Sequence, residues 1–178
     1  RNVVNASGEW REPETVKAVS FQAISTDDTV AFRFSWDDPT KDVDPPVDGF
    51  ALLLKPAGSE GDVVTLQAWP YLGSPRLDLC YWSADRREII ERLAMDFHSV
   101  IARTDPQPAL LQGAAQYEDG RWSLVLQRPL HPKSPAGAAV LSPGAFTSIA
   151  VVVWDGGNPE ARAVAEEVSQ QQRDVRGP

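Results

Sequence analysis

Few side chains in this sequence could do chemistry. They are two histidines (His98 and His131), a single methionine (Met95), a single cysteine (Cys80), and a run of aspartates at positions 37, 38, 42, 44 and 48. Neither histidine lies in an HExxH pair, and one cysteine can build neither an intrachain disulfide nor a structural zinc site. The chain has no GxSxG elbow, Walker A loop or GxGxxG turn. The stretch Trp36-Asp37-Asp38-Pro39-Thr40-Lys41-Asp42-Val43-Asp44 offers hard oxygen donors of the kind that calcium takes. It lacks the glycine and terminal glutamate of an EF-hand, so the reading taken is a solvated acidic loop. The other acids also cluster in turns, and none forms a recognisable catalytic pair. These residues point to a chain without a catalytic centre of its own.

The composition agrees. The 178 residues are 42% hydrophobic and 24% charged, with a formal net charge of −8. This is the profile of one ordinary globular domain covering residues 1–178. The acidic balance argues against nucleic acid, whose phosphates call for clustered Lys and Arg. No apolar run is long enough to span a bilayer as a helix, and no signal peptide is visible at Arg1.

The elements that must position these residues read mostly as strands. Alternating apolar positions predict half-buried strands at 16–24 and 29–36, the second with Val30, Phe32, Phe34 and Trp36 on one face. The run from Gly49 to Leu54 is almost continuously apolar and predicts a strand buried on both faces. Further strands are expected at 63–69, 77–82, 111–117, 122–127 and 149–154, with Glu118-Asp119-Gly120 as a tight hairpin turn. Between 84 and 102, Ile89, Ile90, Leu93, Phe97, Val100 and Ile101 recur at three- and four-residue spacing, which predicts an amphipathic helix. A polar tail after Glu160 is expected to be helical as far as Gln172. The fold class is therefore all-β: an antiparallel β-sandwich with one inserted helix and a short C-terminal helical tail.

Five pieces, in chain order, resemble one family. They are Phe32-Arg33-Phe34-Ser35-Trp36-Asp37-Asp38-Pro39-Thr40, Asp48 to Leu54, Leu72-Gly73-Ser74-Pro75 with Tyr81 to Asp85, Tyr117 to Leu130 around Asp119-Gly120-Arg121-Trp122, and Ile149 to Gly157 ending in Trp154-Asp155-Gly156-Gly157. The sequence is similar to the haem-binding gamma subunits of ethylbenzene dehydrogenase, dimethylsulfide dehydrogenase, selenate reductase and chlorate reductase, over about 16–169. Haem-binding domains of some membrane-linked cytochromes are similar too. The resemblance implies a sandwich that holds one b-type haem and carries electrons in the periplasm between an iron–sulfur chain and a cytochrome. It also implies a methionine and a lysine as iron ligands. The matching places here are near Leu72 and near Glu166, and neither carries a donor suited to haem iron.

Moved ligands are one resolution. Met95 offers a thioether, His98 an imidazole three residues later, and His131 an imidazole in a loop flanked by proline, with Lys133 close by in sequence. Met95, His98 and His131 are the expected cofactor-binding residues, with Met95 and His131 on the metal. The ordinary alternatives are a core gap-filler for Met95 and surface positions for the histidines. The expected function is thus an electron-transfer subunit binding haem b, partnered by an iron–sulfur or cytochrome subunit. A haem-free sandwich that binds partner subunits is the second reading. A carbohydrate-binding module, which needs tryptophans in a solvent-facing row, is the third.

Overall fold

The computed structural model of the chain describes residues 3–4, 10–11, 16–55, 77–86, 89–94, 100–102, 111–132, 139–145, 147 and 149–157. Two short strands, β1 (Val3–Val4) and β2 (Trp10–Arg11), pair antiparallel. The remaining strands are β3 (Val19–Ser25), β4 (Thr29–Asp37), β5 (Gly49–Leu54), β6 (Leu77–Ser83), β7 (Ile90–Ala94), β8 (Val100–Ala102), β9 (Gln112–Glu118), β10 (Arg121–Pro129) and β11 (Ile149–Trp154). They form a four-stranded sheet in the order β3-β4-β10-β9 and a five-stranded sheet in the order β11-β5-β6-β7-β8. Every pairing is antiparallel. The fold is an antiparallel β-sandwich, as the residue pattern predicts.

Alternation explains the inner faces. Val30, Phe32, Phe34 and Trp36 of β4 and Trp122, Leu124 and Leu126 of β10 pack against Phe50, Leu52 and Leu54 of β5 and Cys80 and Trp82 of β6. Aromatic rings fill one end of this layer. Trp36 stacks on Phe50 at 5.4 Å, and Trp82 meets Trp122 edge-on at 4.8 Å. Such pairs add about 0.5–1.5 kcal/mol each beyond the apolar area they bury. β5 is buried along its whole length. Its other face carries Ala51 and Leu53 in a second apolar cluster with Leu77, Leu79 and Ala150. The turn between β9 and β10 places Asp119 and Gly120 both at positive φ, 49° and 74°. This is the hairpin geometry that Asp-Gly favours.

Two expectations change. The strand expected at 16–24 forms as β3, but at a sheet edge rather than half-buried: Phe21 is 47% and Ile24 74% exposed. The helix expected over 84–102 does not form across its described residues. Ile90–Ala94 pairs with β6, and Val100–Ala102 pairs with β7. The spacing of three and four is helical, but within each short strand too few apolar positions remain to fix a period, and the open edge of β6 supplies backbone partners that outweigh the weak helical preference. The strand expected at 63–69 and the helical tail lie outside the described residues. Among the described residues no helix is long and apolar enough to cross a membrane.

Candidate functional site

The two ends of the sandwich are chemically different. At one end β4 finishes, β5 begins, and β6 and β11 finish, so that Trp36, Gly49, Ser83 and Trp154 lie at neighbouring strand ends. At the other end Val30 pairs with Arg128, and Leu54 pairs with both Asp78 and Ile149. Each end carries buried charge.

The tryptophan end is organised by Asp48, which is fully buried. One of its oxygens, Oδ2, accepts hydrogen bonds from Trp122 Nε1 at 3.0 Å and from the Asp42 backbone N–H at 2.9 Å. The other, Oδ1, accepts from the Gly156 N–H at 2.9 Å. One carboxylate thus ties both sheets to the loop after β4. Gly156 has no room for a side chain, because a Cβ there would meet the Pro46 carbonyl oxygen and the Asp42 side chain. Tyr117 Oη donates to the Asp38 carbonyl oxygen at 2.9 Å and fastens β9 to the same loop.

Asp38 is 1% exposed. Its Oδ1 accepts from the Thr40 N–H at 3.1 Å and the Thr40 hydroxyl at 3.4 Å, while its Oδ2 is buried without a hydrogen-bond partner. One carboxylate oxygen from each of Asp38, Asp48 and Asp155 lies within 4.8 Å of the others. The solvated-loop reading is therefore corrected for Asp38 and Asp48, both of which are taken out of water by the ends of the sheets.

Burial raises the Asp38 pKa to about 6, and Asp48 and Asp155 push it the same way against the Thr40 hydrogen bonds. Burial likewise raises Asp48. A raised folded-state pKa means that the folded chain binds this proton more tightly than the unfolded chain does. The stability it contributes is complete below the unfolded pKa and is lost as pH rises through about 6. Thermal melts in chelator-treated buffer should show Tm falling from about pH 4 to about pH 6, with a shallower fall in Asp38→Asn. A parallel slope in parent and variant would show that Asp38 does not carry it.

At the opposite end Arg128 of β10 and Asp78 of β6 form a buried ion pair between the sheets, Nη1 to Oδ2 at 2.8 Å. Arg128 Nη2 donates to the Ala139 carbonyl at 2.8 Å and sits 3.7 Å from Glu91 Oε1. The Ala139 N–H donates to Asp78 Oδ2 at 2.8 Å. Burial alone would lower the Arg128 pKa, but Asp78 and Glu91 outweigh it and the net shift is upward.

Of the expected ligands, His131 is described: it is exposed and follows β10 at this arginine end. Met95 and His98 lie outside the described residues, as do Leu72, Lys133 and Glu166. The residues that flank several of these positions are described, and they share one end. Leu54 and Leu77 bracket the segment with Leu72, and Ala94, which pairs with Leu77, precedes Met95. Of the expected ligands, the described residues thus include one, His131, on the outside of the fold.

An open depression of about 490 Å³ lies beside the tryptophan end, lined by residues that include Lys41, Trp82, Arg86, Tyr117 and Trp122. Lys41 Nζ sits 5.9 Å from the centre of the Tyr117 ring. Among the described residues, no imidazole or thioether lines it. Trp36, Trp82 and Trp122 are buried, which removes them from the solvent-facing row that a carbohydrate-binding module requires.

The polar ties were not visible as functional in the sequence, because each joins residues far apart in the chain. The only signal was that Asp48, Trp122, Arg128 and Gly156 fall inside the five pieces that carry the resemblance.

No family model matches the chain. A comparison with curated proteins finds similarity to the chlorate reductase gamma subunit of Ideonella dechloratans, 32% identical over 146 residues. The aligned region is 78% of this chain and 56% of the relative, so the chain spans about half the relative's length. Over most of its own length, this β-sandwich is similar to a reductase gamma subunit.

Proposed function

We propose that the chain is a non-catalytic electron-transfer subunit, or a domain of one, within a multi-subunit redox enzyme. The observation that carries the reading is the 32% identity to a chlorate reductase gamma subunit. The fold supports it. Asp48, Trp122 and Gly156, which pin one end of this sandwich, lie in the pieces that carry the resemblance, as does Arg128 at the other end, whose partner Asp78 lies outside them.

In this reading the chain holds one b-type haem and works in the periplasm beside an iron–sulfur or cytochrome subunit. The cofactor would supply one-electron chemistry, and the protein would set its potential through axial donors and burial. The arginine end is favoured for it, because His131 and the residues flanking Leu72 and Met95 are there. Arg128 is already neutralised by Asp78, so it serves the sandwich rather than a ligand.

Absorption spectra of the purified chain, oxidised and dithionite-reduced, with a pyridine haemochrome assay, test this. A Soret band at one haem per chain supports the reading, and its loss in Met95→Ala or His131→Ala would assign the ligands. A featureless spectrum that stays empty on haem titration overturns the haem. The second reading, a haem-free sandwich that docks partner subunits, would then stand. It is favoured by one observation: the places matching the family methionine and lysine carry Leu72 and Glu166.

A further inference from the structure

We propose that Asp38, Asp48 and Asp155 form a calcium site that clips together the end of β4, the start of β5 and the end of β11. This goes beyond the electron-transfer reading and does not depend on it. Three carboxylates with oxygens within 4.8 Å of one another repel. Hydrogen bonds answer part of that charge at Asp48, through Trp122, Asp42 and Gly156, and at Asp155 Oδ1, through the Gly157 N–H at 2.9 Å. At Asp38 they answer it, through Thr40, on one oxygen only, Oδ1. Its Oδ2 is buried and unpartnered in a residue 1% exposed. Leaving a buried charged oxygen unmatched is costly, and a bound cation is one of the few ways to match it.

The geometry suits calcium. Its bonds to oxygen are about 2.3–2.6 Å, so two oxygens on one ion can be at most about 4.6–5.2 Å apart. The three carboxylates meet that limit. The donor set is all oxygen, which selects a hard cation over zinc or copper. Each carboxylate oxygen has two lone pairs, and Asp48 Oδ1 accepts a single hydrogen bond, which leaves it able to ligate. Asp155 is only partly buried, which leaves a side open to ion and water. Asp42, whose Oδ2 accepts from the Thr40 hydroxyl at 2.6 Å, stands next to the cluster as a further donor.

The test uses the purified chain stripped with chelator and titrated with terbium, which occupies calcium sites and emits when neighbouring indoles are excited. Trp122 bonds directly to Asp48 and is a ready sensitiser. The expected result is saturable emission at one terbium per chain, displaced by millimolar calcium, with Tm raised by calcium. Asp155→Asn should weaken binding roughly tenfold or more, as should Asp38→Asn. Asp119→Asn, an exposed turn aspartate, should bind like the parent. Asp155 is the decisive position, because a partly buried residue tolerates the change even if the Asp38 variant does not fold. Unchanged terbium affinity in Asp155→Asn would overturn the site, as would absence of both emission and a calcium-dependent Tm shift.

Discussion

Asp48→Ala is expected to destabilise the fold by about 3–5 kcal/mol in urea titrations done in chelator-treated buffer. The carboxylate accepts from Trp122 Nε1, the Asp42 N–H and the Gly156 N–H, and all three bonds close inside the protein or at its edge. Truncation strands those donors. A buried donor without an acceptor costs about 1–3 kcal/mol, and water can reach only some of them here. Asp48→Asn should cost less, because it keeps one acceptor oxygen and the side-chain shape while turning an amide toward a donor. Trp122→Phe removes one donor, so the pair Asp48→Asn and Trp122→Phe should be less than additive. A loss under about 1 kcal/mol for Asp48→Ala would show that this carboxylate does not hold the sheets together.

Arg128→Met carries the second large effect, also about 3–5 kcal/mol, because it strips the guanidinium from a fully buried Asp78. The instructive comparison is the double variant Arg128→Met with Asp78→Leu. Replacing both charges by apolar groups of similar size removes the desolvation cost on each side, so much of the loss should return. Full recovery is not expected. Asp78 also accepts from the Ala139 N–H, and Arg128 also donates to the Ala139 carbonyl. Those two backbone groups lose partners in the double variant, so about 1–2 kcal/mol should remain lost. Equal destabilisation in single and double variants would show that the backbone bonds, and not the ion pair, hold this end.

Both effects bear on the functional reading. Asp48, Trp122, Gly156 and Arg128, which join the two sheets, lie in the pieces that carry the family resemblance, whereas Asp78 lies outside them. Cofactor ligation is a separate matter from these ties, which is why the spectrum and not the fold is the test of the haem.

Much of the scaffold was legible in the residues. Val30, Phe32, Phe34 and Trp36 alternate because one face of β4 meets the core, and Trp122, Leu124 and Leu126 do the same on β10. The apolar run of β5 forecast a strand covered on both faces. Asp119-Gly120 specified its hairpin. These are local rules, in which period and turn chemistry suffice. The stretch 90–102 escaped them, because its apolar spacing reads as a helix, and only the unpaired edge of β6 makes strands of Ile90–Ala94 and Val100–Ala102. Phe21 and Ile24 also look like core residues in sequence, yet β3 is an edge strand and leaves them exposed.

By itself, then, the sequence determined an antiparallel sandwich and its likeness to one family of redox subunits. Tertiary structure alone decided which acids are buried. Asp48 meets Trp122 across 74 residues and Gly156 across 108, and Arg128 meets Asp78 across 50. No local pattern encodes such pairs. An aspartate in a proline-rich loop is solvated or buried according to where the strand ends converge, and that convergence is a property of the packed sheets.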